Sequence, residues 1–177
     1  PLAFTGARII PIAGQPVDNG VLVVQGGRIF AVGPAASTAI PAGAEVRDAR
    51  GKVIMPGLVD SHSHIGGASG ADGASPVQPD VRVLDAIDVR HASIQKAQAG
   101  GITTVNVMPG SGHLISGQTL YLKLRDGRVI DDLLVRLPDG SIAGGLKMAN
   151  GTNSIRSPGG PFPGSRAKSA ALVREQF

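Results

Sequence analysis

Short apolar runs alternate with turn-forming residues over the first third of the chain. The runs occupy residues 7–12, 20–25, 28–32, 45–48 and 53–56. Runs of this length, bounded by Gly, Pro and Asp, are typical of β-strands. Gly26 and Gly27 separate the second run from the third, and this pair fits a tight hairpin because both central positions of such a turn can require a positive φ. The pattern predicts a small β unit over residues 1–57.

The spacing of the apolar positions changes after residue 57. A short apolar run, LVD, leads into a long loop, and the next apolar side chains lie three or four residues apart, on one face of a predicted helix: Leu84, Ile87, His91 and Ile94. Gly100 and Gly101 mark the end of that helix, and residues 102–108 indicate a buried strand. Strand, loop, helix and strand in this order predict a βαβ unit with two parallel strands.

The rest of the chain continues the mixture of strands and helices. Two more apolar runs lie at residues 119–124 and 129–137, and these two leave the strand count open. Residues 141–148 indicate another strand. Residues 165–177 predict a helix with Ser165 as its N-cap. Together these elements predict the α/β fold class.

The composition limits the possible metal ligands and binding partners. Because the 177 residues include no cysteine, any metal must be bound by His, Asp, Glu or a modified Lys. The net charge is +4, but the basic residues are scattered, so no nucleic-acid partner is indicated. No apolar run approaches the roughly 20 residues that cross a bilayer, so no membrane association is expected. We expect a soluble chain, cytoplasmic or, after removal of an N-terminal segment, periplasmic or secreted.

His62 and His64 carry the strongest chemical signal. They lie in VDSHSHI, directly after a predicted strand. Residues i and i+2 of an extended backbone project to the same side, so two imidazoles one residue apart can bind one metal ion, most suitably zinc. The alternative is a pair of polar residues in a surface loop. Their position favours the metal-binding interpretation, because active sites of parallel α/β folds lie at the carboxyl ends of strands.

The longer segment KVIMPGLVDSHSHI resembles the signature of the amidohydrolase superfamily, and the early β unit and GGITTVNVMPG match that family in order. The resemblance, to imidazolonepropionase-like and cyclic-amidohydrolase-like members, implies a metal-dependent hydrolase of cyclic amides, amides or dipeptides. It also implies a small β-sandwich, formed by both ends of a chain, beside a (β/α)8 TIM-type barrel. On this basis residues 1–57 are the N-terminal part of the sandwich, and residues 58–177 are the first half of the barrel.

In family members with two metals, a carboxylated lysine at the end of the fourth barrel strand usually bridges the ions. Lys147, in GGLKMANGTN, lies at a suitable place, so the resemblance implies a site for one or two divalent ions, zinc by expectation, at His62, His64 and Lys147. Carboxylation requires a neutral amine, which desolvated or electropositive surroundings favour. A solvent-facing lysine is the alternative.

Four more polar residues are of interest near the predicted site. His113, in the loop after residues 102–108, is a candidate for contact with the substrate, and Arg166, near a helix N-terminus, is a candidate for binding a substrate carboxylate. Asp60 is expected to accept a hydrogen bond and not to bind metal. His91 is expected to pack in part against the core.

The predicted barrel is incomplete. A (β/α)8 barrel takes about 250 residues, and residues 58–177 cover about four βα units. In the family, later strands give two histidine ligands and an aspartate that serves as general acid and base. We therefore expect no catalytic base within this chain, and activity on a small-molecule substrate only with a complementary C-terminal chain or fragment.

Three interpretations compete. The first is the N-terminal half of a metal-dependent hydrolase, with a deaminase of the same superfamily as its nearest alternative. The second is a non-catalytic scaffold or partner subunit that retains HxH as a relic. The third is an unrelated β-rich binding domain with a fortuitous HSH. The intact PGLVDSHSH and the position of Lys147 favour the first.

Overall fold

The computed structural model describes residues 1–68, 72–156 and 160–177. The chain divides into two compact units, Pro1–Pro56 and Gly57–Phe177. The first unit contains strands β1 (Leu2–Ile9), β2 (Val17–Gln25), β3 (Arg28–Pro34), β4 (Glu45–Asp48) and β5 (Val53–Ile54). The second contains β6 (Leu58–Ser63), α1 (Ala92–Ala99), β7 (Ile102–Val107), β8 (Ile115–Gln118), β9 (Leu120–Lys123), β10 (Leu146–Met148), α2 (Thr152–Ile155) and α3 (Arg166–Arg174).

The first unit is one sheet, in the order β3-β2-β1-β4, with β5 also paired to β1. The predicted hairpin between β2 and β3 is confirmed, because Gly26 and Gly27 both have positive φ, 58° and 73°. The first strand begins earlier than predicted and ends before Pro11, which lacks a backbone N–H to donate to a sheet. Its buried face is small and consists of Ala3, Ala7, Ile9, Val21, Val23 and Ala49.

The second unit contains the predicted βαβ arrangement. Strands β6 and β7 are parallel neighbours, and α1 lies between them in the chain. Apolar residues of α1, β7 and β9 form its core, which includes Ile94, Val105, Val107, Leu120 and Leu122. Of the helices in the described ranges, none is long and apolar enough to cross a membrane.

The predicted helix through Leu84 and Ile94 is interrupted. A 3₁₀ turn covers Val83–Ala86, and α1 starts only at Ala92. The Asp88 carboxylate accepts a hydrogen bond from Arg90 N at 2.9 Å, a local turn that competes with helix. His91 is therefore the exposed N-cap of α1, accepting from Ser93 N through Nδ1, and the expectation that it packs against the core is wrong.

The strands after β7 depart from the expected succession of βα units. Strand β9 pairs antiparallel with β7, and β10 pairs antiparallel with β8. Residues 108–114 separate β7 from β8, and only Thr119 separates β8 from β9. A parallel crossover needs a dozen or more residues. The connections from β7 to β8 and from β8 to β9 are too short to contain one, so neither pair of consecutive strands can form a βαβ unit. The unit remains α/β, as predicted.

Candidate metal centre

The end of strand β6 and the residue after it present both histidines of the HSH motif on one side. Ser63, between them, is buried, whereas His62 and His64 are exposed. The two imidazole rings lie edge to face, with their centroids 5.2 Å apart. This is the alternation expected of an extended backbone. The Asp60 carboxylate accepts a hydrogen bond from His62 N at 3.0 Å, so Asp60 braces the backbone of the motif.

The tautomer of His64 follows from its hydrogen bond. His64 Nδ1 lies 2.8 Å from the backbone oxygen of Met108, the residue after β7. Because a carbonyl oxygen can only accept, Nδ1 must carry the proton, and Nε2 is left with a free lone pair. Histidines that bind metals are usually held in this way, by donating the other ring N–H to a carbonyl or carboxylate.

Lys147 lies against the same group of residues. Its Nζ is 3.3 Å from His62 Nε2 and 3.4 Å from Met108 Sδ. The lysine reaches this position from β10, where it pairs with Gly117 of β8. No ion pair joins Lys147 to a carboxylate within the described ranges. Three segments that are distant in the sequence therefore converge, and Met108, in one of them, contacts His64 and Lys147 in the other two.

These side chains fit part of a metal site. Two imidazoles are suitable ligands for zinc, and a carboxylated lysine would add oxygen ligands. Among the described residues, no group of three or more His, Cys, Asp or Glu side chains could hold a metal ion. Since catalytic zinc sites normally use at least three protein ligands, the two histidines need at least one further ligand, such as a modified Lys147.

His113 lies in the loop after β7 and is buried. Its Nε2 is 3.4 Å from Arg156 Nη2, and its Nδ1 has no hydrogen-bond partner among the described residues. Burial lowers the pKa of His113 below its ordinary value, the charge of Arg156 lowers it further, and Asp72 opposes the shift. The imidazole is therefore held in its neutral form.

Arg166 is the first residue of α3 and is exposed. The predicted N-cap is confirmed, because Ser165 Oγ accepts from Lys168 N at 3.2 Å. In the part of the chain that the structure describes, the Arg166 side chain makes no hydrogen bond. Its role in binding substrate stays a prediction.

Two residues of this region were not predicted. The sequence could have indicated Met108, since it ends the strand-like segment ITTVNVM, and residues at the carboxyl ends of parallel strands commonly lie in active sites. No sequence pattern could have indicated Arg156, because its contact with His113 joins two loops that are far apart in the sequence.

No family model matches the chain. A 5-methylthioadenosine/S-adenosylhomocysteine deaminase of Symbiobacterium thermophilum is 40% identical over 65 residues, which are 36% of this chain and 15% of that protein. A dihydroorotase of Pelotomaculum thermopropionicum is 32% identical over 106 residues, 60% of this chain and 21% of that enzyme.

The whole chain also resembles a solved structure. It superposes on the crystal structure of an amidohydrolase from Thermotoga maritima with a TM-score of 0.84 and 30% identity, covering 100% of this chain and 46% of that one. The predicted fold class is confirmed by this likeness. The chain spans less than half of that relative, and the interpretation as an unrelated β-rich domain is inconsistent with the match.

Proposed function

Because the chain resembles enzymes of the amidohydrolase superfamily, we propose that it supplies part of the metal centre of a hydrolase that acts on C–N bonds. The proposed substrates are cyclic amides, amides or dipeptides. The observation that carries the proposal is the convergence of His62, His64 and Lys147 around Met108. The histidines and the lysine, from two separate segments, meet at the residue that follows β7 in a third.

His62 and His64 are the proposed ligands of a divalent ion, for which zinc is the expected metal. A carboxylated Lys147 is the proposed bridge to a second ion. A bound divalent metal lowers the pKa of a water molecule and polarises the carbonyl group of the scissile bond. The chain itself orients the ligands: Met108 O fixes the His64 tautomer, and Asp60 fixes the backbone of His62.

The remaining metal ligands and the catalytic base are proposed to come from a complementary polypeptide. Strand β6, which contains His62 and leads directly into His64, has a neighbour on one side only among the described strands. Leu58 and Val59 at its start are exposed by 52% and 65%, although both are apolar. An exposed edge with apolar side chains is a surface that another strand can cover.

The test is the metal content of the assembled enzyme. Replacing His62 or His64 by Ala should remove at least one equivalent of metal and abolish hydrolysis. His91→Ala is the matched control, since His91 is an exposed histidine that caps α1. Full metal occupancy in the His62→Ala/His64→Ala double variant would refute the assignment.

A deaminase of the same superfamily is the second candidate, favoured by the 40% identity to a deaminase. The two activities differ in their products. A deaminase releases ammonia from an amino substituent and leaves the ring of its substrate closed, whereas a cyclic-amide hydrolase opens the ring. Mass spectrometry of products from a panel of amides and amino-substituted heterocycles separates them. A non-catalytic scaffold would bind no metal and turn over neither class.

A further inference from the structure

We propose that Arg156 forms a carboxylate-binding subsite beside the candidate metal centre, so that the substrates are amides that carry a free carboxylate. The inference rests on the proposed hydrolase function and adds a substrate class to it. Arg156 is exposed and lies immediately after α2. It is distinct from Arg166, the arginine that the sequence suggested.

Three contacts hold the Arg156 guanidinium in place. Its Nε donates to the backbone oxygen of Gly112 at 3.1 Å, and its Nη2 lies 3.4 Å from His113 Nε2. The guanidinium also lies over the ring of Phe162, with Cζ 3.7 Å from the ring centroid. Stacking on an aromatic face fixes the plane of the group. The arginine is therefore oriented before any ligand binds.

The contacts leave the carboxylate-binding edge of the guanidinium free. Arginine has five N–H donors, and the bonds to Gly112 and His113 use one on Nε and one on Nη2. Both donors on Nη1 and the second on Nη2 have no acceptor in the described part of the chain. One donor from each Nη forms the parallel fork that binds a carboxylate through two oxygens. No carboxylate among the described residues pairs with Arg156.

His113 acts as a positioning residue for this arginine. An arginine can only donate, so His113 Nε2 must accept, which requires a neutral imidazole. Burial and Arg156 itself both keep the pKa of His113 low, in agreement with this role. Asp72 is the acidic residue that opposes the shift, and its Oδ1 already accepts from Ala74 N at 2.8 Å.

The backbone of Arg156 is unusual. Its φ is 54° and its ψ is −176°, a conformation that is almost confined to glycine. A residue with a side chain is strained there, and such strain is found mainly at functional sites. A loop that only needed to turn would be more stable with glycine at this position. The arginine side chain therefore has a use that offsets the strain.

The subsite and the metal centre lie on the same two segments. Met108 contacts Lys147, and farther along both segments His113 contacts Arg156. Ala149 N, two residues after Lys147, also donates to the backbone oxygen of Leu114, the residue after His113, at 3.0 Å. The Cα atoms of Met108 and His113 are at most about 18 Å apart, the reach of an extended chain of that length. The subsite and the candidate metal centre are therefore carried by the same two segments of the chain.

The test compares acids with their carboxamides in the assembled enzyme. Two free acids serve as probes, alanylalanine and alanyl-6-aminohexanoate, and each is compared with the same compound as its C-terminal carboxamide. The two acids place the carboxylate at two different distances from the scissile amide. Because hydrogen bonds between a guanidinium and a carboxylate are charge-assisted, we expect kcat/KM to be about 10- to 100-fold higher for at least one acid than for its carboxamide. Arg156→Gln should abolish the preference, and Arg174→Gln, a change of equal charge at the exposed end of α3, should keep it.

Arg156→Gly is the second variant, because glycine suits the backbone conformation and the variant is expected to fold. Its kcat/KM for the acids should fall towards the value for the carboxamides. Equal kcat/KM for acid and carboxamide in the wild type, or an unchanged preference in both variants, would overturn the subsite and leave the hydrolase proposal standing.

Binding without turnover separates the two proposals. Calorimetry on the metal-free assembly compares N-acetylalanine with N-acetylalaninamide. If no probe is hydrolysed, the proposed function fails for these amides, and the binding result decides the subsite alone. At least about tenfold tighter binding of the acid, lost in Arg156→Gln, supports the subsite; equal binding of acid and amide refutes it.

Discussion

Met108 shows how one residue can organise a site through both its backbone and its side chain. Its carbonyl oxygen accepts from His64 Nδ1, and its thioether sulfur accepts from Lys147 Nζ. The first contact is independent of the side chain at position 108, whereas the second needs a sulfur or another acceptor. The histidine is therefore oriented by the strand itself, and the lysine by the particular residue that follows the strand.

The first prediction concerns a single residue, Lys147. If its amine is carboxylated, the assembled, metal-loaded enzyme prepared with ¹³C-bicarbonate should show a carbamate carbon signal by NMR. Lys147→Met should remove the signal, and Lys96→Met, a change at an exposed position of α1, should not. Short carboxylic acids should partly restore the activity of Lys147→Ala, because a carboxylate can replace the bridging oxygens. An unmodified lysine more than about 5 Å from any metal, well beyond zinc–oxygen bonding distance, would contradict the prediction.

The second prediction concerns His113 and pH. Burial lowers the folded-state pKa of His113 below the ordinary value of about 6.5, so the unfolded chain takes up the proton first as the pH falls. Stability should therefore fall below pH 6.5, by at most about 1.4 kcal/mol per pH unit from this group. In His113→Gln the loss between pH 7.5 and 5.5 should be smaller, as measured by thermal unfolding. Identical pH profiles for wild type and His113→Gln would contradict the prediction.

Individual elements show which parts of the structure a sequence can predict. The Gly26–Gly27 hairpin and the Ser165 cap were predictable because each depends on neighbouring residues. The common side of His62 and His64 follows in the same way from strand geometry. The contact of Lys147 with His62 depends on the pairing of β8 with β10, which no local pattern reveals. For the same reason the sequence could not indicate Arg156, whose partners lie in another loop.

The third prediction tests that pairing. Gly117 of β8 lies opposite Lys147, has a φ of 118°, and leaves no room for a side chain: a Cβ there would lie 2.3 Å from Val81 O. Gly117→Ala should destabilise the protein by at least about 2 kcal/mol and displace Lys147 with its strand. Gly145→Ala is the matched control, since its Cβ would meet nothing closer than Thr119 Oγ1 at 3.8 Å. Unfolding by denaturant measures the stability, and equal loss in both variants would contradict the prediction.

For the molecule as a whole, the described residues leave large apolar surfaces uncovered. In the first unit Ile29 and Phe30 are exposed by 67% and 63%, and β3 forms an edge of the sheet. In the second, β6 is an edge strand with Leu58 and Val59 exposed. Apolar side chains along unpaired edges favour association with further strands or aggregation. Each unit therefore has its own reason to associate with additional polypeptide.

The last prediction is that this chain is stable only with a complementary polypeptide of comparable or larger size. That partner should carry two metal-binding histidines and an aspartate, and should add one or more strands to the first unit. The two should co-purify in equal amounts and separate only under denaturing conditions, whereas the chain alone should aggregate or stay partly unfolded.

A matched pair of variants locates the contact. Val59→Lys, on the β6 edge, should weaken assembly, because a partner strand would have to bury the new charge. Val129→Lys, at a similarly exposed valine outside the named strands, should leave assembly unchanged. Size-exclusion chromatography with light scattering measures both effects. A soluble, monodisperse and cooperatively unfolding monomer of this chain alone would show that neither the β6 edge nor the exposed face of the first unit needs a partner, and the assembly prediction would be wrong.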